Sequence, residues 1–256
     1  MTANALKIIQ LSDAHLAPPP GLVQGGDPVS KLKAAIADIN AHHGDAALVI
    51  ISGDLANDGE RPAYEALAEA LGDLVPPFRL IPGNHDDRRL MAEMFPQGAV
   101  MTDGFVQSAM ATPQGVLLLI DTLDEGQIGG RLDAARLGFI ARELERARSQ
   151  PAYIFMHHPP FMLHMAEFDA LPLAGAEALR DLVLAHGQVR HIFAGHVHRF
   201  IAGSWHGVPV SITRSTSHQT ALQFGTGWQL GPERPGYAII FIDAAGAIVH
   251  FHELAG

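Results

Sequence analysis

Residues 6–15 read LKIIQLSDAH, an apolar run from Leu6 to Leu11 followed at once by Asp13-Ala14-His15. A short run rich in Ile and Leu is typical of a buried strand. Asp13 and His15 therefore lie just past the end of a predicted strand. Four further polar patches follow apolar runs in the same way. They are Gly53-Asp54, Gly83-Asn84-His85-Asp86, His157-His158 and Gly195-His196-Val197-His198.

The apolar runs before these patches are predicted to be buried strands as well. They are Ala46 to Ser52, Phe78 to Ile81, Tyr153 to Met156 and His191 to Ala194. In a mostly parallel sheet, the strand ends that carry the connecting loops gather on one edge. We therefore expect the five patches to converge in one crevice.

Segments with helical periodicity separate these strands. Asp27-Pro28 is typical of a cap followed by a first-turn proline, and apolar residues then recur at helical spacing up to Gly44. Similar patterns end at Gly72, follow Asp133 and end before Gly187. This alternation of strand and helix predicts an α/β fold.

The last part of the chain, residues 205–256, differs from the rest because it has no clear helical pattern. It is predicted to be a closing β-rich portion, an antiparallel part of a second sheet, with strands at Val208 to Ile212, Tyr237 to Ile242 and Ala247 to Phe251. Since no linker interrupts the chain, residues 1–256 are expected to form a single domain. The Pro-rich and Gly-rich stretch from Pro18 to Pro28 is expected to be a loop at the rim of the crevice.

Composition excludes several classes of protein. The formal charge of −10 argues against a stable nucleic-acid partner, because such binding depends on a broad basic surface. Every apolar run is shorter than a membrane span requires, and Met1 to Lys7 lacks a signal-peptide pattern, so we expect a cytoplasmic protein with no membrane partner. The chain has no cysteine, so a metal site here would contain no thiolate.

The polar patches supply oxygen and nitrogen donors of the kind that bind first-row transition metals. The candidate metal ligands are Asp13, His15, Asp54, Asn84, His157, His196 and His198. This donor set suits Mn, Fe, Co or Zn. A structural zinc site is usually closed and rich in cysteine, so we expect a catalytic site with positions left for water and substrate.

Two metal ions about 3.5–4 Å apart can hold the attacking and the leaving oxygen of a displacement at phosphorus. A carboxylate can bridge such ions, and Asp54 fits this role because it ends the second strand, in the middle of the set. A hydroxide held between the ions is the expected nucleophile. The ions outweigh the negative charge of two aspartates and a hydroxide, so the site would attract a phosphate anion.

Two further residues of the third patch are expected to act beside the metals. His85 is predicted to contact a phosphate oxygen or to protonate the leaving alkoxide, with Asp86 orienting its imidazole. His158 is expected to point away from the metals because side chains alternate along a strand. A loop that contains Phe161, His164, Met165 and Phe168 is expected either to line the substrate pocket or to pack in the core.

In order and spacing, the five motifs resemble those of the calcineurin-like metallophosphoesterase superfamily over residues 8 to 198. The Gly53-Asp54 and His157-His158-Pro159-Pro160 regions are most similar to the group of class III cyclic nucleotide phosphodiesterases and glycerophosphodiesterases. The resemblance implies a four-layer αββα sandwich, with two mixed β-sheets flanked by helices. It also implies that copies of the chain pair as a homodimer or a higher homo-oligomer.

The resemblance further implies a pair of divalent or mixed-valence metal ions, Mn, Fe, Zn or Co. One ion would be held by Asp13, His15, Asp54 and His198, and the other by Asp54, Asn84, His157 and His196. The implied activity is hydrolysis of small phosphodiesters, either cyclic nucleotides or glycerophosphodiesters.

Two alternatives stay open at this point, a phosphomonoesterase of the same superfamily and a metal-binding interaction module without activity. Other branches are disfavoured. Protein Ser/Thr phosphatases carry an arginine where this chain has Asn57-Asp58-Gly59, and purple acid phosphatases use a tyrosine ligand at the position of Asn57. The superfamily's DNA-repair nucleases usually carry additional regions, for which this acidic chain of 256 residues leaves little room.

Overall fold

Two β-sheets pack face to face, and helices cover the outer side of each, in a computed structural model that describes residues 5–254. The strands are β1 (Leu6–Leu11), β2 (Leu48–Ser52), β3 (Phe78–Ile81), β4 (Met101–Thr102), β5 (Phe105–Val106), β6 (Ser108–Thr112), β7 (Gly115–Ile120), β8 (Ala152–Met156), β9 (Val189–Ala194), β10 (Ile201–Trp205), β11 (Val208–Ile212), β12 (Gln219–Thr220), β13 (Leu230–Gly231), β14 (Gly236–Asp243) and β15 (Gly246–Glu253). The helices are α1 (Pro28–His43), α2 (Arg61–Leu71), α3 (Arg88–Met94), α4 (Ala134–Arg146), α5 (Ala166–Asp169) and α6 (Ala176–His186). The predicted four-layer α/β sandwich is confirmed.

Both sheets are mixed. The first has the strand order β15-β14-β1-β2-β3, and its last three strands are parallel. The second has the order β10-β11-β9-β8-β7-β6, with a parallel centre and an antiparallel strand at each edge. Leu11 lies beside Ile51, and Ser52 lies beside Ile81. The loops after β1, β2 and β3 therefore begin next to one another.

The predicted placement of the C-terminal strands in an antiparallel part of the second sheet is wrong for the last two of them. The antiparallel hairpin of β14 and β15 joins the first sheet, where Ile242 pairs with Leu6 and Ile240 with Ile8. The strand β11 lies in the second sheet but runs parallel to β9. The physical reason lies in β1, whose Ile8 and Ile9 are fully buried, so water cannot satisfy the backbone N–H and C=O groups along its second edge, and β14 pairs with them.

The helices begin and pack as their sequences predict. The carboxylate of Asp27 accepts hydrogen bonds from the backbone N–H groups of Val29 and Ser30, which caps α1. The helices α1 and α2 cover the first sheet, and α4 and α6 cover the second. Between the sheets, Phe155 and Phe193 stack with ring centres 4.5 Å apart.

Among residues 5–254, no helix combines the length and apolar character needed to span a membrane.

Candidate metal centre

The loops that carry the site have an unusual backbone conformation. Residues with side chains rarely adopt positive φ, and doing so costs about 1–2 kcal/mol each. Such strain is concentrated at functional sites. Five of the candidate ligands have φ between 45° and 71°: Asp13, His15, Asp54, His196 and His198. Backbone hydrogen bonds hold two of these loops together, from Asp13 N–H to the Gly53 carbonyl (2.9 Å) and from His15 N–H to the Asp54 carbonyl (2.8 Å).

Two glycines in the motifs are required by close packing of the site. Gly53 has φ of 98°, and a Cβ atom at this position would lie 2.2 Å from Nδ1 of His157. A Cβ atom on Gly83 would lie 2.2 Å from Oδ1 of Asp54. Both separations are far shorter than real contacts, so any side chain at these glycines would displace a candidate ligand.

One group of candidate ligands is formed by the loops after β1, β2 and β9. It contains Asp13, His15, Asp54 and His198, all buried, with one donor atom of each within 4.8 Å of the others. The two Nε2 atoms of His15 and His198 are 3.0 Å apart. Oδ1 of Asp13 lies 3.3 Å from Nε2 of His198. The structure thus brings together the four residues that the resemblance assigns to one metal.

A second group adjoins the first on the other side of Asp54. Nε2 of His157 lies 3.3 Å from Oδ2 of Asp54 and 3.3 Å from Oδ1 of Asn84. The ring centre of His196 is 5.1 Å from that of His157. Since Oδ2 of Asp54 is also 3.5 Å from Nε2 of His15, the same carboxylate oxygen faces both groups. Asp54 is therefore placed where a bridging ligand would have to lie.

Backbone carbonyls set the orientation of two of the histidines. Nδ1 of His157 lies 2.8 Å from the carbonyl oxygen of Ser52, and Nδ1 of His198 lies 2.9 Å from that of His218. A carbonyl oxygen only accepts hydrogen bonds, so each Nδ1 carries the hydrogen and each Nε2 keeps its lone pair. Both lone pairs are thus directed into the ligand groups, as metal-binding histidines require.

The donor set fits cations. Nε2 of His157 and Nε2 of His198 both face carboxylate oxygens. A nitrogen lone pair and a carboxylate oxygen can only accept, so a cation between them would satisfy both. Within residues 5–254, the two buried ring nitrogens of His196 have no hydrogen-bond partner. The pKa values indicate the same demand for positive charge. Burial would lower the pKa of His157, but the charges of Asp54 and Asp13 raise it to about 9. Burial would raise the pKa of Asp13, but His198 and His157 lower it to about 2.

The expected role of Asp86 in orienting His85 is wrong. Nδ1 of His85 instead lies 2.6 Å from the backbone carbonyl of Asn57. The buried carboxylate of Asp86 accepts hydrogen bonds from Tyr64 Oη–H and from backbone N–H groups of residues 55, 56 and 83. It is therefore turned toward the loops and away from the imidazole. Burial and the charge of Asp54 raise its pKa to about 6.

His158 lies beside the second group, but both of its nitrogens are already engaged. Nε2 lies 3.0 Å from the carbonyl oxygen of Ile128, so it must donate, and Nδ1 lies 2.7 Å from Oγ1 of Thr122. Burial and the charge of His157 lower its pKa to about 3. These contacts favour a role in holding the loop that carries Ile128. The expectation that His158 points away from the metals is wrong, because its ring centre lies 4.6 Å from that of His196.

A cavity of about 330 Å³ opens over the ligand groups. His85 lines it, and so do Phe168 from the predicted wall and Gln24 from the predicted rim loop. Phe161 and Met165 pack instead in apolar clusters. His164, the fourth residue of that wall, is exposed and does not line the cavity. The lining also includes residues that the motifs did not indicate, because they belong to loops without a sequence signature: Ile128, Leu171, His218 and Trp228.

Residues 6–200 match the family profile described as calcineurin-like phosphoesterase. The chain belongs to this family. Its members are metallophosphoesterases, so the chain is a member of a hydrolase family, as the motif order predicted.

The similar proteins include two named phosphodiesterases. A probable cyclic nucleotide phosphodiesterase of Rhodopseudomonas palustris is 36% identical over 250 residues, covering 96% of this chain and 91% of the relative. A probable glycerophosphodiester phosphodiesterase of Arcobacter nitrofigilis is 29% identical, covering 84% and 80%. Among solved structures, a dimetal phosphatase from Danio rerio superposes with a TM-score of 0.73 at 11% identity, covering 98% of this chain and 100% of that one, which supports the fold.

Proposed function

We propose that this protein is a metal-dependent phosphodiesterase with two metal ions that share Asp54. The observation that carries the proposal is the position of the Asp54 carboxylate. Its Oδ2 lies 3.5 Å from Nε2 of His15 in one ligand group and 3.3 Å from Nε2 of His157 in the other. Both groups face a single cavity, in which a substrate phosphate can reach them.

The residues present can hold two cations. We assign Asp13, His15, Asp54 and His198 to one ion, and Asp54, Asn84, His157 and His196 to the other. Bound cations would polarise the phosphoryl group and activate a water molecule for attack at phosphorus. Mn, Fe, Zn or Co suits these nitrogen and oxygen donors.

His85 is the proposed proton donor to the leaving alcohol. Because Nδ1 donates to the carbonyl of Asn57, the ring is fixed and Nε2 is left to face the cavity. When an ester bond at phosphorus breaks, the departing oxygen needs a proton, and a protonated Nε2 at this position can supply it. The imidazole is exposed to the cavity, so it can exchange protons with solvent between turnovers.

Asp86 is proposed as a positioning residue for the same step. Its carboxylate binds the backbone N–H groups of Leu55 and Ala56 after the second strand and of Gly83 after the third. It therefore holds the loop of Asp54 against the loop of Asn84 and His85. Its effect on the reaction would act through the placement of those residues.

The proposed substrates are small phosphodiesters. The names of the two relatives, a probable cyclic nucleotide phosphodiesterase and a probable glycerophosphodiester phosphodiesterase, support cyclic nucleotides or glycerophosphodiesters. The expected cytoplasmic location, single-domain organisation and homo-oligomeric state stay predictions.

The test compares hydrolysis of a diester with hydrolysis of a monoester, with metal added and with metal removed by a chelator. Wild-type protein reconstituted with Mn²⁺ should hydrolyse bis(p-nitrophenyl) phosphate faster than p-nitrophenyl phosphate, and chelation should abolish both activities. A clear preference for the monoester would instead identify a phosphomonoesterase. Bound metal without hydrolysis of either ester would favour the non-enzymatic alternative. The conservative variant Asp54→Asn, which retains the side-chain size but loses the charge, should be inactive and deficient in metal.

A further inference from the structure

Two cavities meet at Asn84 and His85, beside the ligand groups. The first, of about 330 Å³, is the one above the ligand groups, and we call it the aromatic cavity. The second, of about 410 Å³, lies on the far side of His85, and we call it the polar cavity. Asn84 and His85 line both. A phosphate bound beside these two residues would therefore have open space on two sides.

The aromatic cavity carries an apolar wall formed by Ile128, Phe168, Leu171 and Trp228. The indole N–H of Trp228 already donates to Oγ1 of Thr220 at 3.1 Å. What Trp228 offers to a ligand is therefore its apolar ring surface, and the residue is 42% exposed. Large apolar side chains exposed in a cavity beside a reactive site indicate a binding surface for an apolar or planar group.

This wall is held in place before any ligand binds. Trp228 and Gly227 lie in the loop between β12 and β13, and Phe168 lies in α5. A carboxylate oxygen of Glu167, next to Phe168, accepts a hydrogen bond from the N–H of Gly227. The two halves of the wall are thus connected directly, which reduces the entropy lost when a ligand binds between them.

The polar cavity has the opposite character. Its lining includes Asp58, Asp87, Arg88, Arg89 and Glu125. Arg88 is engaged, with Nη1 donating to Glu125 at 2.6 Å and other nitrogens donating to a neighbouring carboxylate. The guanidinium of Arg89 has no hydrogen-bond or ion-pair partner within residues 5–254. It is free to donate hydrogen bonds to a polar group.

We infer that the preferred substrate is an acyclic phosphodiester with two unlike arms. A planar aromatic arm of nucleobase size packs against Phe168 and Trp228, and a hydroxylated polar arm occupies the polar cavity beside Arg89. In a cyclic nucleotide both ester oxygens belong to the same sugar, so the substrate has no second arm and would leave the polar cavity unfilled. A diester of two glycerols would leave the aromatic wall uncovered. This inference rests on the proposed phosphodiesterase function.

The test uses three substrates that differ in their arms: the glyceryl ester of adenosine 5′-phosphate, cyclic AMP and bis-glycerophosphate. Wild-type protein with Mn²⁺ should give the highest kcat/KM with the glyceryl ester. Trp228→Ala should lower kcat/KM for both adenosine substrates by about 5- to 150-fold, the usual range for loss of a base-stacking aromatic. It should leave bis-glycerophosphate unaffected. Trp228→Phe should restore most of the loss.

Two further variants separate specific recognition from general damage. Phe224→Ala, in the same loop and 66% exposed but outside both cavities, should change none of the three rates. Arg89→Ala should lower kcat/KM for the glyceryl ester by about 2- to 10-fold, the usual range for one lost hydrogen bond. It should leave cyclic AMP unaffected, because that substrate does not reach the polar cavity.

A binding readout independent of turnover uses tryptophan fluorescence, since the chain has two tryptophans and Trp205 is buried. The glyceryl ester should quench the wild-type signal under chelation but leave that of Trp228→Phe unchanged. The inference is overturned if cyclic AMP is the best of the three substrates, or if Trp228→Ala lowers all three rates equally or none. Absence of hydrolysis of bis(p-nitrophenyl) phosphate by the wild type would instead overturn the proposed function itself.

Discussion

Acid should destabilise this protein through His191, a residue far from the candidate metal centre. His191 lies on β9 in the second sheet and is only 7% exposed. Its ring stacks on Phe193 with centres 4.2 Å apart, and Nε2 lies 2.8 Å from Oγ of Ser211. Burial lowers the pKa of His191 from the ordinary 6.5 to about 4. The folded protein therefore keeps this imidazole neutral over a range in which the unfolded chain protonates it.

The sign and size of the effect follow from this difference in pKa. Between pH 6.5 and 4 the unfolded state binds the additional proton, so the free energy of unfolding falls as the pH falls. The contribution of His191 is fully present above pH 6.5. About 2 kcal/mol of it is lost at pH 5, and about 3 kcal/mol once the pH is below 4.

The assay is urea unfolding of the chelated protein at pH 7.5 and pH 5, for wild type and for His191→Gln. Other buried histidines titrate in both proteins, so the comparison isolates His191. Glutamine keeps a hydrogen-bonding group near Ser211 but cannot be protonated. Wild type should lose about 2 kcal/mol more stability than the variant between the two pH values. Equal losses would refute the reasoning, as would an NMR titration that shows His191 protonated at pH 5 in the folded wild type.

Three substitutions test the architecture of the site. Gly83→Ala should strongly weaken Mn²⁺ binding in calorimetry, because the new Cβ atom would displace the Asp54 carboxylate. The control Gly138→Ala, in an open position of α4, should bind normally and gain about 0.5–1 kcal/mol of stability. His85→Ala should keep its metal content and lose about 10²–10⁴-fold in kcat, and loss of metal would contradict the assignment of His85 as a proton donor. Tyr64→Phe should cost about 1–3 kcal/mol in urea unfolding, since it removes a buried hydrogen bond to Asp86, and an unchanged midpoint would contradict this.

The convergence of the polar patches could be predicted because local patterns indicate each strand and the alternation of strands with helices indicates their parallel pairing. Each candidate ligand follows a short buried strand, and parallel strands end on one edge of their sheet. The register of β1, β2 and β3 then places the loops of Asp13, Asp54 and Asn84 side by side. The register joins residues 29 to 40 positions apart, but parallel pairing follows from the alternation of strands and helices, which is why the fold class and the grouping of the site residues were accessible from sequence.

The remaining features depend on contacts between distant parts of the chain. Asp86 bonds backbone N–H groups about 30 residues away, and no local pattern distinguishes such partners from the neighbouring imidazole. Asp121 also follows a buried strand, β7, yet its carboxylate binds Arg88 and lies outside the ligand groups. Trp228 reaches the cavity from a loop without a motif. A position just past a buried strand is therefore neither sufficient nor necessary for a place in the site.

Anomalous diffraction from crystals of the Mn²⁺-reconstituted protein would test the central claim most directly. Two peaks about 3.5–4 Å apart are predicted, with the Asp54 carboxylate between them. His15 and His198 should lie on one side, and His157 and His196 on the other. A single peak, or a pair of peaks that Asp54 does not bridge, would contradict the proposed two-metal centre.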